Sequence, residues 1–196
     1  MNLEILLATN NKHKLQEFRE ILSPHGIVVY DISDLNLKPR EVIENGNTFK
    51  ENALLKANSL KKLTSFPIIA DDSGLEVEAM DNKPGIHTAR YAEKMGGIGN
   101  AMDSIVNFLN DKNNRKARFV CDLVLLNVDE KPLYFEGTIE GEIAFEKHGE
   151  EGFGYDPIFI PNGKDVSFAV IGKEEKNQIS HRAKALKKLL VYLRVK

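Results

Sequence analysis

The chain holds a single cysteine, Cys121, in 196 residues. One thiol cannot close an internal disulfide, which excludes the disulfide-stapled secreted scaffolds and points to a reducing, cytoplasmic setting. A basic surplus is also missing: 27 Lys and Arg stand against 29 Asp and Glu, a formal net charge of −2. General electrostatic binders of nucleic acid carry the opposite balance, so no nucleic-acid partner is expected, with a local basic pocket left open. Long apolar runs are absent too. The opening Met1-Asn2-Leu3-Glu4-Ile5-Leu6-Leu7 is short, contains an acid and has no basic flank. It is expected to be neither a leader nor a membrane span, so no membrane association is anticipated. Neither a Walker A loop nor the dinucleotide glycine pattern occurs. Repeats, low-complexity tracts and linkers are lacking as well, and the length suits one domain over 1–196, built of two closely packed lobes. With 42% apolar residues, a sizeable core needs neither metal nor disulfide staples.

What is present alternates between strand and helix signals. Leu3 to Ala8 is a short apolar run closed by Thr9-Asn10-Asn11, as in a buried strand. Leu15, Phe18, Ile21 and Leu22 recur at helical spacing, Pro24 and Gly26 break the helix, and Ile27 to Tyr30 completes a β-α-β unit. Residues 31–47 lack periodicity and predict a loop. Thr48-x-x-Glu51 is a capping box opening a helix with Phe49, Ala53, Ala57 and Leu60 on one face. Pro67 to Ala70 is a short strand expected to run into a turn, Asp71-Asp72-Ser73-Gly74, after which Leu75, Val77 and Ala79 alternate as a half-exposed strand. Met102, Ile105, Val106 and Leu109 mark another helix. Ala117–Val128 and Leu133–Phe145 predict an antiparallel pair turning at Lys131-Pro132. The last stretch, Ile179 to Val195, predicts one helix with Ile179, Ala183, Leu186, Leu190 and Leu193 on its apolar face. The fold class is mixed α/β.

Four polar constellations carry chemistry. Thr9-Asn10-Asn11-Lys12-His13-Lys14 sits where a helix begins, and lysines there oppose the helix dipole unless an external anion is bound. The residues alone fit a phosphate site or a solvated polar turn. In Asp71-Asp72 the adjacent carboxylates repel unless a cation compensates, as Mg²⁺ would, while the alternative is a capped turn. Glu44 is a further acid able to serve the same cation. Gly149-Glu150-Glu151-Gly152-Phe153-Gly154-Tyr155-Asp156 combines glycines with aromatic faces for stacking a base and an acceptor at Asp156; a loop with its aromatics in the core fits the same pattern. Finally, Lys176 precedes Ser180-His181-Arg182, where Ser180 reads as the N-cap of the last helix and the cations again lie at its start. Polyphosphate, metal and base each find a receptor, which together indicate a nucleotide site.

Six segments then carry a resemblance: Thr9-Asn10-Asn11-x-x-Lys14, Glu51-Asn52-Ala53-x-x-Lys56-Ala57, Ala70-Asp71-Asp72-Ser73-Gly74-Leu75, Pro84-Gly85-Ile86 with Ala89-Arg90-Tyr91, Phe153-Gly154-Tyr155-Asp156-Pro157 and Ile179-Ser180-His181-Arg182. In this order and spacing the chain resembles the inosine-triphosphate pyrophosphatase family of non-standard purine nucleotide pyrophosphatases. The resemblance implies an elongated two-lobed mixed α/β fold with a central mixed sheet and the active cleft between the lobes, usually in a homodimer. It implies Mg²⁺-dependent hydrolysis of ITP, dITP and XTP to monophosphate and pyrophosphate. By matching position, Thr9, Asn10, Asn11, Lys14 and Lys56 are expected at the phosphates, Glu44, Asp71 and Asp72 at the metal, and Asp72 as proton acceptor for the attacking water. Ser73 would touch substrate, Phe153, Gly154, Tyr155 and Asp156 would form the base pocket, and Lys176, His181 and Arg182 would complete recognition. Asn10 stands where glycine is frequent, His87-Thr88 replaces a commoner Tyr-Ser or Val-Ser, His148 replaces an arginine and Val170 an acid. Two other readings are a pyrophosphatase for modified pyrimidine triphosphates and a nucleotide-binding sensor without turnover. The Phe153–Asp156 segment and Ser180-His181-Arg182 argue against the first, and the intact Asp71-Asp72 pair against the second.

Overall fold

The structure, a computed structural model, describes residues 3–195. Met1 and Asn2, the start of the run weighed as a leader, lie outside the described residues. Seven strands and seven α-helices build a mixed α/β fold with one sheet among the described residues. The strands are β1 (Leu3–Leu7), β2 (Ile27–Tyr30), β3 (Ile68–Val77), β4 (Lys83–Pro84), β5 (Lys116–Leu126), β6 (Leu133–Ile143) and β7 (Phe159–Pro161). The helices are α1 (Lys12–Leu22), α2 (Phe49–Leu60), α3 (Thr88–Lys94), α4 (Ile98–Phe108), α5 (Phe168–Ile171), α6 (Lys173–Ile179) and α7 (His181–Val195). Strand order is β2-β1-β3-β5-β6-β7, with β4 added to β3. β1 pairs in parallel with β2 (Ile5 opposite Val29) and with β3 (Leu6 opposite Ile68), whereas β7 runs antiparallel to β6 (Glu142 opposite Ile160).

The chain forms two compact units, one of Met1–Asp72, Cys121–Gly137 and Ala183–Lys196, the other of Ser73–Val120 and Thr138–Arg182. In the first unit the sheet is covered on both faces. Ile5, Leu7 and Ile69 pack with Leu15, Phe18 and Leu22 of α1 and with Ala185, Leu186 and Leu189 of α7. Leu6, Ala8, Ile68 and Ala70 pack with Ala53, Ala57 and Leu60 of α2. Double coverage explains why Ile5–Ala8, the buried part of that run, is apolar without alternation. A fully buried side chain such as Phe18 contributes about 1.5–3 kcal/mol by leaving water. In the second unit Leu75 and Val77 meet Ala101, Met102 and Ile105 of α4, and Phe119, Phe159 and Phe168 form an aromatic cluster with centroid separations of 4.7 and 5.3 Å.

Three expectations are corrected. Asp71-Asp72-Ser73-Gly74 is no turn: β3 runs unbroken through it, because the ammonium groups of Lys14 and Lys56 offset the charge that would keep buried acids out of a strand. The same strand ends at Val77, and Glu78–Met80 makes a 3₁₀ turn, so Ala79 has left the sheet. Ile179 closes α6 rather than opening the last helix; Ser180 is extended, and α7 starts at His181. The capping box forms in altered shape: Thr48 Oγ1 accepts the Glu51 N–H at 3.1 Å, but the Glu51 carboxylate accepts from Asn47 N at 2.6 Å. No helix of the described residues is long and apolar enough to cross a membrane.

Candidate active site

In the first unit, the chain leaves β1 and turns directly into α1. Thr9 Oγ1 accepts the Asn11 N–H (3.1 Å), and Asn11 Oδ1 caps the helix by accepting from His13 N (2.9 Å) and Lys14 N (3.1 Å). That cap satisfies two donors a helix start otherwise leaves open, which gives Thr9 and Asn11 a structural task; Asn10 is exposed beside them. Lys14, in the first turn, places its ammonium 2.8 Å from Asp71 Oδ2. Lys56, on α2, reaches Asp72 Oδ1 at 2.8 Å, the Asp71 carbonyl at 2.9 Å and Glu44 Oε2 at 3.2 Å. Each lysine pairs with one acid and acts on the other as well: Lys56 feels the charge of both carboxylates, and Lys14 also draws on Asp72.

Asn52 was not anticipated as part of this cluster. Its amide nitrogen donates to Asp72 Oδ2 at 3.2 Å, and its oxygen accepts the Gly46 N–H at 2.9 Å. The available signal was a polar residue on the inward stripe of an amphipathic helix, four residues before Lys56.

Electrostatics follow from this burial. Burial penalises the Lys56 charge, but Asp72, Asp71 and Glu44 together outweigh it and raise the ammonium above its ordinary range. Burial raises the Asp72 carboxyl, and Lys56 and Lys14 only partly pull it back. A carboxylate held above its ordinary range takes a proton more readily near neutral pH. Asp122, on β5, is pushed up to about 6 by burial and by Glu136, with Lys50 opposing and Asp72 reinforcing.

Among the described residues no three His, Cys, Asp or Glu side chains form a ready-made metal cage. Mg²⁺ does not require one, since it is commonly held by one or two carboxylates together with substrate phosphates and water. Glu44 and Asp72 converge on a single positive charge, the Lys56 ammonium, so this oxygen set suits a cation.

The second unit gathers the remaining expected residues. Lys176, 4% exposed, donates to Asp156 Oδ2 at 2.6 Å, and the same oxygen accepts the Phe153 N–H at 2.8 Å. Gly152 adopts φ +79°, and a Cβ there would collide with the Asp156 carboxylate, so glycine is required for the loop to close on it. The Lys176 ammonium lies 4.5 Å from the Phe153 ring centroid and the Arg182 guanidinium 5.9 Å from it, so one ring joins both cations. Arg182, 1% exposed, donates to Ser73 Oγ at 3.1 Å. His181 stacks on Phe119 with centroids 4.8 Å apart. Gly154 is half-buried with φ +65°. Tyr155 belongs to the core cluster, its hydroxyl donating to the Thr88 carbonyl at 3.0 Å, and burial followed by Tyr91 raises its phenol further, so it stays neutral. Phe153, half-buried, is therefore the aromatic with a face to offer, and Tyr155 anchors the loop.

Known proteins match this chain over nearly its full length. The sequence profile of the Ham1 family matches residues 5–192. A Bacillus subtilis protein named dITP/XTP pyrophosphatase is 43% identical over 188 residues, spanning 95% of this chain and 94% of its own. A Staphylococcus aureus protein of the same name is 42% identical over 190 residues, 97% of this chain and 96% of its own. Among solved structures, the S. aureus Ham1 protein aligns with a TM-score of 0.85 at 41% identity, covering 97% and 98% of the two chains. A Coxiella burnetii HAM1 protein aligns with a TM-score of 0.87 at 38% identity, covering 99% and 100%.

Proposed function

The chain belongs to the Ham1 family, and on that premise we propose that it hydrolyses the non-standard purine nucleotides dITP, XTP and ITP to monophosphate and pyrophosphate. The observation that carries the reading is Asp72, a buried carboxylate with a raised pKa whose two oxygens are held by Lys56 and Asn52. Dedicated donors on both oxygens fix a carboxylate's direction, as a base for a positioned water requires. The dITP/XTP pyrophosphatase names of relatives above 40% identity support the substrate class.

Asp72 takes the proton of the water that attacks the α-phosphorus, and pyrophosphate leaves. Lys14, with Thr9, Asn10 and Asn11 at the start of α1, receives phosphate, and Lys56 offsets charge developing on it. Glu44 and Asp71, with Asp72 beside them, would hold Mg²⁺. When bound, Mg²⁺ neutralises phosphate oxygens and makes nearby water more acidic. Phe153 stacks on the purine, Asp156 and Lys176 form its polar edge with Gly154 and Tyr155 shaping the loop, and Ser73 and His181 complete the contacts. A 6-oxo group accepts from a cation where a 6-amino group cannot, so Lys176 gives a chemical reason for choosing ITP over ATP. Cys121, the single cysteine of the chain, and the resemblance to a family expected to form homodimers support a cytoplasmic homodimer.

The test is pyrophosphate release from ITP, XTP, dITP, GTP, ATP and dTTP, with Mg²⁺ and after chelation. Release from the first three that requires Mg²⁺ and falls about 10²–10⁴-fold in Asp72→Asn is the expected result. Near-normal turnover by Asp72→Asn with unchanged metal dependence would show the base to be elsewhere.

A further inference from the structure

We infer that Asn52 is the positioning residue that orients the Asp72 carboxylate and locks it to the loop bearing Glu44. The inference rests on the reading of Asp72 as base. Asn52 is 1% exposed, on a stripe of α2 otherwise filled by Phe49, Ala53, Ala57 and Leu60. A buried amide costs about 1–3 kcal/mol unless its polar atoms are paired, so an apolar residue would serve packing better. Both ends of this amide are paired, and to dissimilar partners.

The backbone N–H of Gly46 can only donate and an ionised carboxylate can only accept, so the amide has one satisfied orientation. Its oxygen faces Gly46 at 2.9 Å and its nitrogen faces Asp72 Oδ2 at 3.2 Å. One helical turn later, Lys56 occupies the other Asp72 oxygen at 2.8 Å. Rotation of the carboxylate would break both bonds, so α2 fixes its plane. On the loop side, a Cβ at Gly46 would lie 2.8 Å from Asn52 Oδ1 and 2.7 Å from Glu51 Cβ, so the loop is seated directly on the amide. Glu44, two residues before Gly46, meets the same Lys56 ammonium at 3.2 Å. One amide thus sets the separation between the acid assigned to the metal and the acid assigned to the proton.

Asn52→Asp separates the two arms. It keeps the acceptor for Gly46 N–H and replaces the donor by a carboxylate facing Asp72. Asn52→Ala removes both arms, and Gly46→Ala displaces the amide from the loop side without touching Asp72. Expected for Asn52→Asp and Gly46→Ala is a kcat on ITP lower by about 10–100-fold, as for other residues that orient a working ligand, with KM changed by less than about threefold. Wild-type kcat in both variants, with Asp72→Asn inactive, overturns this inference alone. Near-normal Asp72→Asn turnover overturns the base reading and this inference with it. A kcat loss that merely tracks the thermal midpoint, and vanishes when the assay is run well below it, is structural and also overturns the inference.

Discussion

Asp122→Asn should stabilise the protein, and only above the acidic range. Asp122 lies partly buried on β5, its carboxylate accepts the Lys50 N–H in the first turn of α2, and Glu136 and Asp72 add negative charge nearby. These surroundings lift it from an ordinary 3.8 to about 6. A carboxyl whose folded value is raised costs stability once ionised. The unfolded chain begins to release the proton near 4, the folded chain not until near 6, so stability falls as pH rises through this window and stays lower above it. The displacement corresponds to about 3 kcal/mol at ~1.4 kcal/mol per pH unit, and partial exposure of the group reduces this to about 1–2 kcal/mol. Asparagine retains an oxygen for Lys50 and carries no charge at any pH. The variant's advantage in urea unfolding should therefore be small at pH 4 and reach about 1–2 kcal/mol by pH 7.5, a rise in Tm of about 3–6 °C. An advantage independent of pH, or a variant less stable than wild type at pH 7.5, would refute the charge-burial account.

Two further outcomes follow from buried cations in the second unit. Arg115, 7% exposed, donates to the carbonyls of Ile143, Leu109 and Ala144 at 2.7–2.8 Å, fastening the end of α4 to the end of β6. Arg115→Met should cost about 3–5 kcal/mol in urea unfolding while leaving the KM for ITP within about twofold, because three carbonyls lose a charged donor and none of these groups is assigned to substrate. A loss under ~1 kcal/mol would mean those carbonyls find other donors. Lys176→Met should destabilise by about 3–5 kcal/mol, since it strips the ammonium from a buried Asp156. Adding Asp156→Asn should restore most of that stability and none of the discrimination between ITP and ATP, measured as a ratio of kcat/KM. Recovery of discrimination in the double variant would remove Lys176 from purine recognition.

Local signals read well where the physics was local. The β1–α1–β2 unit was legible because a doubly covered strand is continuously apolar and Pro24-Gly26 stops the helix; Gly26 indeed takes the left-handed conformation. Thr48 announced α2 because its cap lies three residues away. The strand through Asp71-Asp72 was not legible. Carboxylates of that kind favour turns until their partners are known, and Lys14 and Lys56 come from distant segments. Helices α3, α5 and α6 span 7, 4 and 7 residues, too short to display a 3.6-residue period. The four constellations were visible as residue types, but their internal wiring was not: nothing in the order of residues says that Phe153 shares its ring with Lys176, or that His181 stacks on Phe119.

The interleaving of the two units has a consequence for how the protein is made. The second unit closes with Arg182, whereas the first, which holds β1 and α1, includes Ala183 onward. A ribosome therefore delivers the N-terminal apolar surfaces long before Ala185, Leu186 and Leu189 emerge to cover them. Until then Phe18 and its neighbours present sticky surface, a natural substrate for chaperones that hold nascent chains. Loss of α7 by a late stop codon would leave that surface permanently open. Such a truncation would act chiefly by aggregation and degradation, even if every other catalytic group remained encoded.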